Sequence, residues 1–92
     1  MSEEIFRILM ENGFAKTMSA NEVGFRLFRD TWLVVWGFKS RLTANLVVGD
    51  DGSEPIFLPS MSSENADLSH AHKIIALKNA LVAADENEAE DW

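Results

Sequence analysis

Residues 31–48 read TWLVVWGF, then KS, then RLTANLVV. Two apolar-rich runs thus flank a two-residue polar break. Period-two alternation marks an extended strand, and two such runs across a short break form an antiparallel hairpin. In the second run, Leu42, Ala44, Leu46 and Val48 alternate with Arg41, Thr43, Asn45 and Val47, the pattern of a half-buried strand. The first run is apolar on both sides. Trp32, Val34, Trp36 and Phe38 lie on one face, and Leu33, Val35 and Gly37 on the other. A strand apolar on both faces belongs at the centre of a sheet.

Upstream, Val23, Phe25 and Leu27 alternate with Gly24, Arg26 and Phe28, which predicts a third strand joined through Arg29-Asp30. Downstream, Gly49-Asp50-Asp51-Gly52-Ser53 is a turn. Residues 54–59 (EPIFLP) predict a fourth strand, confined to an edge by its two prolines. Trp32, Trp36 and Phe38 group with the neighbouring aliphatics as core. That assignment leaves Leu33, Val35, Phe28 and Val47 as a second apolar face, which two short helices do not cover.

Helical signals flank the strands. Ser2, Glu3 and Glu4 favour a helix start, and Ile5, Phe6, Ile8, Leu9 and Met10 recur at helical spacing. Asn12-Gly13 stops this helix near residue 12, and Phe14 is placed to fold back on it. Residues 15–21 are expected to be a loop. Residues 60–63 form a linker, with Ser62 or Ser63 as one cap of a second helix and Asp67 as its competitor. That helix is expected over 66–85. Leu68, Ala71, Ile74, Ile75, Leu77, Leu81, Val82 and Ala84 share an arc of about 200°, broken by Lys78 and His70. The Lys78 stem is expected to lie over the core with its amine in water; an ion pair with Asp67 or with a partner's acid is the alternative.

The expected fold is α+β: a small antiparallel meander of three to four strands with an N-terminal and a C-terminal helix on one face. The order is α-β-β-β-(β)-α. Residues 1–84 form one domain and residues 85–92 an acidic tail.

The 92 residues carry a net charge of −7, unevenly placed. Residues 1–48 hold six basic and five acidic groups, whereas residues 49–92 hold two basic and ten acidic ones. The total disfavours whole-surface attraction to nucleic acid or anionic lipid. There is no cysteine, hence neither disulfide nor thiolate chemistry. An acidic start and the lack of a long apolar run predict a cytoplasmic protein with no membrane contact.

Catalytic patterns are missing. His70 and His72 point about 200° apart on a helix and cannot share a metal. Asp50, Asp51 and Glu54 lack the spacing of a calcium loop. The sequence shows neither a phosphate loop nor a nucleophile elbow. No cofactor, no metal and no enzymatic activity are expected.

Two features point to binding instead. Phe25, Arg26, Phe28, Arg29, Trp32, Trp36, Phe38, Lys39 and Arg41 fall within seventeen consecutive positions. Sheets that bind single strands combine such aromatic rings and cations. The second feature is the ending Asp85-Glu86-Asn87-Glu88-Ala89-Glu90-Asp91-Trp92. Over these eight residues it resembles the acidic tips of single-stranded-DNA-binding proteins, which implies docking onto partner proteins.

The leading expectation is a non-enzymatic protein-binding module with the size and composition of small phage or mobile-element inhibitors. Its acidic half would imitate a nucleic-acid backbone and occupy a basic surface of a nucleic-acid-handling protein. Asp85, Glu86, Glu88, Glu90, Asp91, Trp92, Asp50, Asp51 and Glu54 are its expected contacts. A homodimer through the uncovered sheet face fits the same pattern. The alternative is a single-strand binder using Arg26, Phe28, Arg29, Trp32, Trp36, Lys39 and Arg41, with the tail recruiting partners.

Overall fold

A computed structural model describes residues 3–28, 30–49 and 55–90, the side chains of 87–90 excepted. Its elements are α1 (Glu3–Glu11), β1 (Ala15–Lys16), β2 (Glu22–Leu27), β3 (Thr31–Phe38), β4 (Arg41–Val48), β5 (Ile56–Phe57) and α2 (Leu68–Glu90), with a 3-10 turn at Pro59–Met61 before α2. The strands form one antiparallel sheet in the order β1-β2-β3-β4-β5, a meander as expected. The fifth strand comes from the segment expected to be a loop: Ala15 and Lys16 pair with Gly24 and Val23.

α1 ends in a closed C-terminal motif. The Phe14 N–H donates to the Leu9 carbonyl at 3.1 Å and the Gly13 N–H to the Met10 carbonyl at 3.2 Å. Gly13 sits at φ +96, the left-handed conformation that such an ending requires. Phe14 folds back and is buried, as its position after the glycine predicts. Ser2, the expected cap, lies outside the described residues.

α2 starts at the competing cap, not at Ser62 or Ser63. Asp67 accepts the Ser69 N–H at 2.9 Å and the Ser69 hydroxyl, while the Asp67 N–H donates to His70 Nδ1 at 3.1 Å. Side chain and backbone thus satisfy each other reciprocally, a capping box with histidine in the usual glutamate position. Ser69's hydroxyl bond, with help from its backbone N–H, holds the Asp67 carboxyl below the usual carboxylate range. Ser62 braces the chain before the helix instead. Its hydroxyl donates to the Leu58 carbonyl at 2.8 Å and accepts the Ala44 N–H at 3.0 Å.

α2 also runs five residues beyond its expected end. Acids are disfavoured at a helix C-terminus, so residues 85–90 read as a tail, yet the helix continues through them. A tertiary contact supports it there. The Phe28 N–H donates to the Asp85 carboxylate at 3.1 Å. No helix among the described residues is long and apolar enough to cross a membrane.

Both helices pack on the same side of the sheet. Ile5, Leu9, Ala71 and Ile74 meet Val23, Leu27, Leu33, Val35, Leu42 and Ala44 in one core. Full burial of each such Leu, Ile or Val contributes roughly 1.5–3 kcal/mol relative to exposure. Leu33 and Val35 are completely buried, which reverses the expected assignment of faces. The helices cover Leu33 and Val35, and the sheet turns its tryptophans outward. The physical reason lies in β4. Its Leu42 and Ala44 can only face the core, and the register places them beside Gly37 and Val35.

Lys78, on the apolar arc of α2, is half-buried and reaches the sheet: its Nζ stands 5.2 Å from the centroid of the Phe25 ring. The ammonium thus ends against an aromatic ring.

Candidate functional site

The uncovered face is built row by row from the strand register. Glu22, Trp36 and Thr43 form one row across β2, β3 and β4. Gly24, Val34, Asn45 and Phe57 form the next, extended to β5. Arg26, Trp32 and Val47 form a third. Phe38 and Arg41 close the sheet at the Lys39-Ser40 turn.

This surface is aromatic and open. Trp32 is 36% exposed, Phe38 52% and Phe57 55%, values for large apolar side chains that no helix covers. Trp36, half-buried, stacks with Phe38 at a centroid separation of 6.2 Å and an interplanar angle of 21°. Trp32 lies across Gly24: a Cβ built there would stand 3.5 Å from Trp32 Cε3. The missing side chain makes room for the indole.

Cations frame the rings. Arg26 stands across from Trp32 and Arg41 across from Phe38. Lys39 Nζ lies 5.5 Å from the Phe38 centroid. Arg41 is partly committed, with its guanidinium 3.2 Å from the Glu64 carboxylate, both side chains largely exposed. An ion pair that open is worth about 0–1 kcal/mol and can exchange partners. Glu22 supplies an acid on the same face and accepts the Thr17 hydroxyl at 2.6 Å. Beside Arg41 and Phe57 the face opens into a groove of about 550 Å³ bounded by Pro59, Ser62 and Glu64.

Of the aromatic and basic residues singled out in the sequence, Arg26, Trp32, Trp36 and Arg41 share this face and Lys39 flanks it. Phe28 does not. It sits in the β2–β3 turn at φ 54, with its backbone held by Asp85. Arg29 lies outside the described residues. Phe57 and Glu22 join the face without having been anticipated, and Val34 lies on the side where alternation places it with Trp32 and Trp36. The alternation of β2, carried one step upstream from Arg26 and Gly24, is the signal that finds Glu22.

The acidic set is only partly placed. Asp85 and Glu86 lie on α2 near the β2–β3 turn, and Glu88 and Glu90 belong to its last turns. Asp50, Asp51, Glu54, Asp91 and Trp92 lie outside the described residues. Among the described residues, no three His, Asp or Glu side chains gather as metal ligands.

No family model, curated protein or solved structure matches this chain.

Proposed function

We propose that this protein is a non-enzymatic binding module that captures another protein with a basic surface. One observation carries the proposal: both helices lie on one side of the sheet, leaving Trp32, Phe38 and Phe57 exposed and Trp36 half-buried on the other. Tryptophan and phenylalanine centred on a patch are the usual anchors of protein interfaces. The acidic half then serves complementarity and encounter rate with a basic target, as in inhibitors that occupy nucleic-acid-binding grooves.

A second function, single-strand binding, draws support from the pairs Arg26–Trp32 and Phe38–Arg41, which set a cation beside a ring on neighbouring strands. Its weakness is electrostatic. Among the described residues Arg26, Lys39 and Arg41 serve the face, Arg41 already meets Glu64, and the whole chain carries −7. Phosphate attraction, the main source of affinity for nucleic acid, is correspondingly small.

The experiment pairs two measurements on the full chain. Tryptophan fluorescence is followed while single-stranded oligonucleotide is added, at low and at physiological salt. In parallel, the protein captures partners from its own cells, compared with Phe38→Ser/Phe57→Ser and with a chain ending at Asp85. Ending there keeps the Asp85–Phe28 contact. The proposal expects a flat titration and a captured protein lost with both variants. Quenching that weakens as salt rises, with capture indifferent to both changes, transfers the face to nucleic acid.

A further inference from the structure

We infer that His70 is a proton-operated switch at the start of α2: it ties the backbone of Asp67 when neutral and the carboxylate of Asp67 when charged. A single ring atom makes both contacts. His70 Nδ1 stands 3.1 Å from the Asp67 backbone nitrogen and 3.1 Å from Asp67 Oδ1. The first neighbour is a donor, and the second, when ionised, is an acceptor. An imidazole nitrogen accepts without a proton and donates with one, never both at once. Each charge state of His70 therefore satisfies one contact and opposes the other.

Neutral His70 accepts the Asp67 N–H, which assigns its ring proton to Nε2. The Asp67 carboxylate is then served by Ser69 alone, through the backbone N–H at 2.9 Å and the hydroxyl. A proton added at Nδ1 reverses the pattern. Nδ1–H donates to Oδ1 in a charge-assisted bond, stronger than the neutral one it replaces. The Asp67 N–H is released to water. The His70 side chain is 20% exposed and that of Asp67 71%, so the ring stays seated while the carboxylate follows the proton.

The surrounding charges leave this choice to Asp67. The dipole of α2 opposes a cation in its first turn. The 3-10 turn before the helix has no charged residue. Arg41 of β4 and Glu64 of the entering segment pair with each other at 3.2 Å, and Lys39 lies over the Phe38 ring. Glu22 and Arg26 of β2 belong to the uncovered face of the sheet. α1 brings Glu3, Glu4, Arg7 and Glu11, and α2 itself His72 and Lys73; among the described residues none of these forms an ion pair with His70. The released amide belongs to the peptide that leads into α2. Upstream of it, the Ala66 N–H donates to the Ser40 carbonyl at 2.8 Å, and the Ser40 hydroxyl to the Glu64 carbonyl at 2.9 Å. Protonation thus loosens the chain between that anchor and the helix while the cap carboxylate keeps its place. The switch does not rest on the function proposed above.

The test is NMR of the full, ¹⁵N-labelled chain as pH is lowered from about 8 to about 5, the span over which histidine ordinarily changes charge. At the upper end His70 should show a protonated Nε2 and a bare Nδ1. On the way down Nδ1 should gain its proton, and the Asp67 amide should shift with the same midpoint. Its protection against exchange should fall by roughly tenfold, as for one net hydrogen bond. Asp67 stays ionised over this span, its carboxyl being held below the usual range. His70→Gln supplies an acceptor that does not titrate, so its Asp67 amide should keep one position throughout. His72→Gln should behave as the wild type, and circular dichroism checks that both variants fold. An Asp67 amide that ignores the titration of His70 overturns the inference. So does a neutral ring protonated at Nδ1, or a transition that survives in folded His70→Gln. The wild-type titration decides by itself should His70→Gln fail to fold.

Discussion

The backbone N–H of Phe28 and the carboxylate of Asp85 meet at 3.1 Å, though 57 positions separate them in the chain. The contact joins the turn between β2 and β3 to the last third of α2. It also occupies a backbone donor at a non-glycine residue with positive φ, a conformation that surrounding structure must hold in place. Asp85→Ala should therefore cost about 1 kcal/mol in urea unfolding, the net value of an ordinary hydrogen bond. Asp85→Asn keeps an acceptor and should cost less. Amide exchange at Phe28 should accelerate in the alanine variant and not in the asparagine one.

Leu33 and Trp36 lie three residues apart on β3 and on opposite faces, and their truncations should differ accordingly. Leu33→Ala opens a cavity in the core and should cost about 2–5 kcal/mol. Trp36 is half-buried on the uncovered face, so Trp36→Ala should cost no more than about 2 kcal/mol, at the low end for lost apolar burial. Chemical denaturation of both variants checks the order. A larger loss for Trp36 would move the core to the tryptophan side.

The contrast shows which part of the fold was legible. Four of the five strands, their meander order and the flanking helices follow from alternation, turn residues and helical spacing; β1, two residues long, leaves no period to read. The direction of the faces did not emerge from β3 alone, because a strand apolar on both sides has no inside by period. Tryptophan, the largest apolar side chain, drew the assignment toward the wrong side. The deciding signal sits across the Lys39-Ser40 turn. A two-residue break pairs Phe38 with Arg41, hence Trp36 with Thr43 and Val35 with Ala44, and the polar face of β4 then declares itself. The end of α2 was hidden for a different reason. Local electrostatics oppose a helix there, and the compensating Asp85–Phe28 contact is long-range.

Two glycines give predictions of opposite sign. At Gly24 a new Cβ would meet Thr17 Cγ2 at 3.4 Å and Trp32 Cε3 at 3.5 Å, ordinary contact distances. Gly24→Ala should raise stability by about 0.4–1 kcal/mol by restricting the unfolded chain. Gly24→Val should instead lift the Trp32 indole and shift its fluorescence. At Gly13 the new Cβ would stand 2.9 Å from Phe25 Cε2 with φ at +96, so Gly13→Ala should lower stability by more than about 1 kcal/mol. Thermal melts of the three variants distinguish the cases.

Asp67 makes the start of α2 sensitive to acid. Its carboxyl titrates lower in the folded chain than in the unfolded one, chiefly through the Ser69 hydroxyl. The stability it contributes is therefore present above the unfolded value and lost as pH falls through the folded one. Asp67→Ala should melt below the wild type at neutral pH, and the two curves should converge in acid, below the usual carboxylate range. Melting temperature against pH for the pair measures this. A gap that persists unchanged into strong acid would show that the carboxylate charge has no part in the cap.

The strands that flank the sheet, Ala15–Lys16 and Ile56–Phe57, are two residues long. Open backbone at a sheet border is what lets chains add side by side into growing ribbons, and short border strands offer little to add to. Side-by-side addition at these two borders is thereby disfavoured. A molecule so built can display tryptophan and phenylalanine to solvent with its growth limited by its own outline.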